Sequence, residues 1–219
     1  MIKLKHKSWE DITIPVYQEI IDIAQGADDS EDGYANREID ILAVLCDSDR
    51  ESLGNILIDD YAQLVKDARF MHKIPFFQPD AKMVLQGVEY RVCVDMSKFT
   101  LAQYTEYNAL RADSNANIAN LLTCMLVPTS AKCYADGYDV GEVVKAINES
   151  LPYYKAFGIL HFFLFAQGIS LASSLGKESK RLRNMAKQTS TEEVQREMLC
   201  RAQQLRRASI SLGRCLLSR

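Results

Sequence analysis

Hydrophobic positions recur with a helical period over most of this chain. Ile2 and Leu4, alternating with lysines, predict a short N-terminal strand. Val16, Ile20, Ile21 and Ile23 then share one face of a helix over about 14–25, with Thr13 as its N-cap and Pro15 in its first turn. Residues 26–33, GADDSEDG, break the pattern as an acidic loop with no apolar anchor. A second helix follows over 37–45, and Ser48 with Glu51 reads as a capping box for a short third one. Tyr61, Leu64, Val65 and Ala68 mark the inward face of a fourth, over about 59–71, before Pro75 and Pro79.

The period changes once, between Lys82 and Asp95. Met83, Val84 and Leu85, then Val88, Tyr90, Val92 and Val94, flank Gln86-Gly87, which predicts a tight β-hairpin over about 82–95. Thr100 caps the next helix, through Arg111, with Leu101, Tyr104 and Leu110 on one side. Further helices are predicted over 117–127, ended by Pro128, and over 140–149, after a turn at Asp136-Gly137. The fold expected is mainly α with a small β-hairpin: a compact helical bundle domain over 1–176 and a basic C-terminal helical arm over 177–219.

Two later segments need more than periodicity. Residues 156–175, AFGILHFFLFAQGISLASSL, carry no formal charge, and twenty such residues would span a bilayer core. They also include His161, Gln167, two glycines and three serines, which are costly at membrane depth. A helix apolar all round is equally expected at the centre of an all-α domain, and the buried core helix is the reading taken.

In the arm, Met198, Leu205 and Leu212 recur every seven residues of one helix over 191–217. Val194, Ala208 and Cys215 partly fill the alternate positions and Arg201 interrupts them. So narrow a stripe suits docking onto another surface, and it makes Val194, Met198, Leu205 and Leu212, with Arg201, Arg206 and Arg207, the candidate partner-binding residues.

Charge sharpens this division. The net charge of −3 hides eleven Lys and Arg against four Glu after residue 176, and so fifteen against twenty-five before it. A body of −10 and an arm of +7 attract each other, or the complementary parts of neighbouring copies. The arm's arginines could contact phosphates, but it has no aromatic residue on which a base could stack, and the acidic body repels nucleic acid. Protein partners are therefore expected before nucleic acid or membrane.

Catalytic and metal chemistry find little purchase. His6, His72 and His161 are far apart in sequence, and no P-loop, dinucleotide-binding or zinc-protease spacing occurs. Asp28, Asp29, Ser30, Glu31 and Asp32 are oxygen donors without the order a calcium loop needs. The carboxylate pairs Asp59-Asp60 and Glu192-Glu193 fall at predicted helix N-termini, where the macrodipole favours them. Six cysteines lack paired spacing and, most of them on predicted apolar faces, are expected as buried free thiols in a reducing cytoplasm; the start of the chain does not read as a secretory signal. The reading is a non-enzyme with no cofactor and no metal.

The order of features carries a resemblance. SWEDITIPVYQEI, REIDILAVLCD, QGVEYRVCVDMSKFTLAQYTEY and NIANLLTCMLVPTSAKCYADGYDV, followed by an aromatic helix, resemble proteins from the structural gene modules of tailed phages that infect Bacteroidetes, the crAss-like phages included. The likeness covers about residues 1–165 and rests on Trp9, Thr13, Gly87, Tyr90, Asp95, Thr100, Gln103, Tyr104 and the turn from Asp136 to Asp139. It implies a virion component in the head-to-tail connector or tail region, or a tail-assembly chaperone. Its partners would be copies of itself and other virion proteins, and its location the virion, or the host cytoplasm during assembly. A packaging factor associated with nucleic acid is the further alternative.

Overall fold

The computed structural model describes residues 2–26, 31–112, 118–188 and 192–217. It is mainly helical with one small antiparallel sheet. The chain forms two compact units, Met1–Cys93 with Phe99–Leu160, and Val94–Lys98 with His161–Arg219. The boundary expected at 176/177 instead falls inside a helix that continues to Gln188.

In the first unit, α1 (Ile14–Gly26) buries Ile14 and Ile20. Residues 27–30 of the expected acidic loop lie outside the described residues, but Glu31, Asp32 and Gly33 already belong to α2 (Glu31–Cys46), which starts six residues earlier than periodicity suggested. Acidic residues suit a helix N-terminus, so an acidic stretch is no evidence for a loop there. The expected strand at Ile2–Leu4 is not one: Lys5 and His6 both donate their backbone N–H to the carbonyl of Leu45 at the end of α2, and Leu4 is buried.

For α3 (Arg50–Gly54) the cap is Asp49, whose carboxylate accepts from Ser52 N at 2.7 Å; the Ser48–Glu51 box is one residue out of register. Next, α4 (Ile58–Asp67) tightens into a 3-10 turn over Ala68–His72. That turn supplies the Phe70 carbonyl which, with that of Lys73, accepts from the indole N–H of the buried Trp9 at 2.9 Å each.

The hairpin is β1 (Lys82–Leu85) and β2 (Val88–Val92), in the register Leu85↔Val88 and Met83↔Tyr90. Gln86 and Gly87 have φ of 47° and 79°, the left-handed pair that a two-residue hairpin requires. A third strand, β3 (Leu126–Pro128), pairs with β2. The helix expected over 117–127 is thus only α6 (Ile118–Thr123), and its residue 117 lies outside the described residues. The residues past Thr123 are drawn to the sheet instead: Met125 O accepts from Cys93 N at 2.8 Å beside the β2–β3 ladder, and Cys124 O accepts from the buried Gln103 side chain at 3.0 Å.

Helix α5 (Leu101–Ala112) opens with a reciprocal capping box between Thr100 and Gln103. Its inward face is Gln103 and Tyr107; the expected Leu101 and Tyr104 are exposed. After α7 (Val140–Ser150), capped by Asp139, comes α8 (Tyr153–Gln188), and the last helix is α9 (Glu192–Leu217).

The core of the first unit gathers Ile12, Leu45, Leu122, Met125, Leu126, Ile147, Leu151 and Ile159, all fully buried. The start of α8 enters it closely: a Cβ added at Gly158 would lie 2.7 Å from the Phe77 carbonyl oxygen. The expectation of a buried helix over 156–175 holds only for this start and for Phe163. Leu164, Ile169 and Leu171 are half exposed, at 57%, 50% and 52%.

Candidate interaction surface

Within the second unit, α8 from His161 onward and α9 pair as an antiparallel hairpin. Ser179 Oγ donates to the carbonyl of Ala202 at 2.7 Å, and Ser209 Oγ to that of Ala172 at 2.8 Å. These two bonds define one register, in which residues 172–179 lie alongside 202–209. The contact is made by small side chains: Ser179, Ala186 and Ala202 are buried, and a Cβ at Gly176 would meet Ser209 Oγ at 3.6 Å. Small residues let two helix backbones approach, and a serine hydroxyl can then reach a facing carbonyl.

The predicted stripe on α9 is therefore half right in position and turned toward the chain itself. Met198 and Leu205 are half-buried, but the alternate positions are Ala202 and Ser209; Ala208 and the interrupting Arg201 are exposed. Val194, Leu212 and Cys215 lie on α9, with side chains outside the described residues. Arg206 and Arg207 are exposed, as Arg201 is. Sequence reading missed Ser179, Ser209 and Gly176. The signal that could have found them is the small-residue series Ala172, Gly176, Ser179 and Ala186 at coiled-coil spacing.

The charge division survives the shift of boundary. Residues 161–176 are uncharged and Asp95 cancels Lys98, so the first unit carries −10 and the second +7. Both units also expose large apolar side chains. Leu57 and Ile58, at 75% and 82%, precede Asp59 and Asp60 in the first turn of α4; Leu164, Ile169, Leu171, Leu199 and Ile210 are exposed on the hairpin.

Two titratable clusters lie in the first unit. Glu10 accepts from the Tyr154 hydroxyl and, at 2.9 Å, from Lys155 Nζ. The hydrogen bond from Tyr154 holds Glu10 below the usual carboxylate range. Burial, then Glu10, pushes Tyr154 up, and Lys155, which burial alone would push down, is held up by Glu10. The cluster ties the loop before α1 to the start of α8. Burial pushes the Cys124 thiol up to about 11 and the Tyr134 phenol up to about 12, whereas Cys133 and Cys200, expected to be buried, are exposed.

His72 does share a groove of about 420 Å³ with Glu38, but the groove is walled by Ile41, Leu42, Leu45, Val65 and Met71. Glu38 is engaged by Tyr61, and no hydrogen bond or ion pair joins it to His72 among the described residues. No group of three metal-ligating side chains occurs among the described residues. Compared with protein-family models, curated proteins and solved structures, the chain matches none.

Proposed function

We propose that this chain is a non-enzymatic structural protein of a tailed-phage virion, a ring or connector component of the head-to-tail or tail region that assembles with copies of itself. The observation that carries the assembly part is the separation of charge. An acidic unit and a basic unit on one chain, each exposing large apolar side chains, give two different faces that complement each other between copies. A heterologous contact of this kind closes into a ring when its rotation allows, and low salt strengthens its electrostatic part. The assignment to a phage particle is supported by the sequence resemblance over about residues 1–165.

The same two faces would serve a tail-assembly chaperone, which holds a client transiently and leaves before the particle is complete. Proteomics of gradient-purified particles against infected-cell lysate separates the two. Stoichiometric presence in the particles is the expected result; abundance in lysate with absence from particles overturns the virion reading in favour of the chaperone.

A further inference from the structure

The hairpin register exposes an asymmetry that neither helix shows alone. Residues 164–177 of α8 and 204–217 of α9 contain no Asp or Glu, while all four glutamates of the hairpin, Glu178, Glu192, Glu193 and Glu197, lie toward its connecting end. Toward the acid-free end, exposed Ile169 and Ile210 share one side of the hairpin with exposed Arg206, and exposed Arg207 lies beside it. In the first unit, among the described residues, exposed Leu57 and Ile58 adjoin Asp59 and Asp60 at the start of α4, and Asp60 lines a groove with Lys3 and Lys7. Leu101 and Tyr104, also exposed, have only Glu106 on their helix.

We propose that the acid-free end of the hairpin docks onto the Leu57–Asp60 corner of a second copy, arginines against carboxylates and Ile169 and Ile210 against Leu57 and Ile58. This rests on the self-assembly reading and assigns it a surface. Charge complementarity favours a second copy over a lipid bilayer. Helix α8 is long and apolar enough to cross a membrane. Yet with the hairpin closed, Arg206 and Arg207 lie beside the segment that would sit at membrane depth, where each charge is costly. The −10 of the first unit also opposes approach to an anionic surface and attracts the hairpin of a neighbour.

Sedimentation velocity of the full chain tests this. Wild type should sediment as a defined oligomer. Arg206→Glu with Arg207→Glu places like charges together and should weaken association on the order of a hundredfold, to monomer at micromolar concentration. Asp59→Arg with Asp60→Arg should do the same, and the four changes in one chain should restore the oligomer. Ile169→Asp with Ile210→Asp gives a second disruption that does not touch the arginines. Circular dichroism and Trp9 fluorescence verify folding of each variant.

A monomeric wild type would overturn the assembly reading itself. An oligomer indifferent to the hairpin variants would overturn only this surface, and a folded but monomeric four-change chain would overturn the corner as its occupant. If Ile169→Asp with Ile210→Asp leaves the oligomer intact but abolishes binding to phosphatidylcholine vesicles containing phosphatidylserine, the surface belongs to lipid and the proposal is wrong.

Discussion

The two units bury different things. The first fills its interior with large side chains, among them Ile12, Leu45, Leu122, Leu126 and Ile147, and Trp9 packs against Tyr17, Phe70 and Tyr153. The hairpin of the second buries Ser179, Ala186 and Ala202 where its helices meet, and leaves Leu164, Ile169 and Leu171 in solvent. One unit draws its stability from apolar volume removed from water, the other from close backbone approach fixed by two serine-to-carbonyl bonds. A unit that hides small residues and shows large ones has surface to spare for another molecule.

The sharpest break of this contrast is a cavity in the first unit. Leu126→Ala, in the strand that completes the sheet, should lower stability by about 2–5 kcal/mol. Trp9 is the only tryptophan, so its fluorescence in urea reports the first unit alone. The expected result is a lower midpoint by fluorescence while hydrogen exchange in the 172–209 hairpin is unchanged. Equal loss of protection in the hairpin would mean that the units unfold together and the contrast has no thermodynamic content.

A smaller effect is expected from added volume. Gly158→Ala would place a Cβ 2.7 Å from the Phe77 carbonyl oxygen and 2.8 Å from a Phe77 ring carbon. Backbone cannot swing aside as a flexible side chain does, so α8 or the segment before β1 must shift, at a cost of about 1–3 kcal/mol. The fluorescence midpoint should fall. An unchanged midpoint would show that the start of α8 is packed more loosely than the rest of that core.

What the sequence made legible follows the same divide. Local signals did well: the Gln86-Gly87 turn, the Thr100 cap, and the extents of α1, α7 and α9 follow from spacing and from one or two residues. Failures came where partners distant in sequence decide. Residues 124–127 look helical until pairing with β2 draws Leu126–Pro128 into the sheet, and Ile2–Leu4 looks like a strand until Leu45 receives its neighbours' N–H groups. The uncharged 156–175 segment fitted a core helix by composition, yet composition holds no record of how little of it the rest of the chain covers. On α9 the large residues drew attention to a seven-residue stripe, whereas Ala202 and Ser209, too small to register as hydrophobic anchors, mark the face that meets α8.

The finest test uses the same substitution on the same helix with the opposite sign. At Gly176 an added Cβ meets nothing nearer than Ser209 Oγ at 3.6 Å, an ordinary contact with a side chain able to adjust. The position is inside α8, where glycine costs about 0.5–1 kcal/mol relative to alanine through the freedom it loses on folding. Gly176→Ala should therefore stabilise the hairpin by about that amount, seen as slower hydrogen exchange across 172–209 with the Trp9 midpoint unmoved. Faster exchange would mean that close approach at Gly176 is itself what holds the helices together, as in small-residue helix pairs where a single methyl group separates the backbones. The hairpin would then be packed as tightly at that position as the first unit is at Gly158, and the contrast between the two units would narrow to the size of the residues they bury.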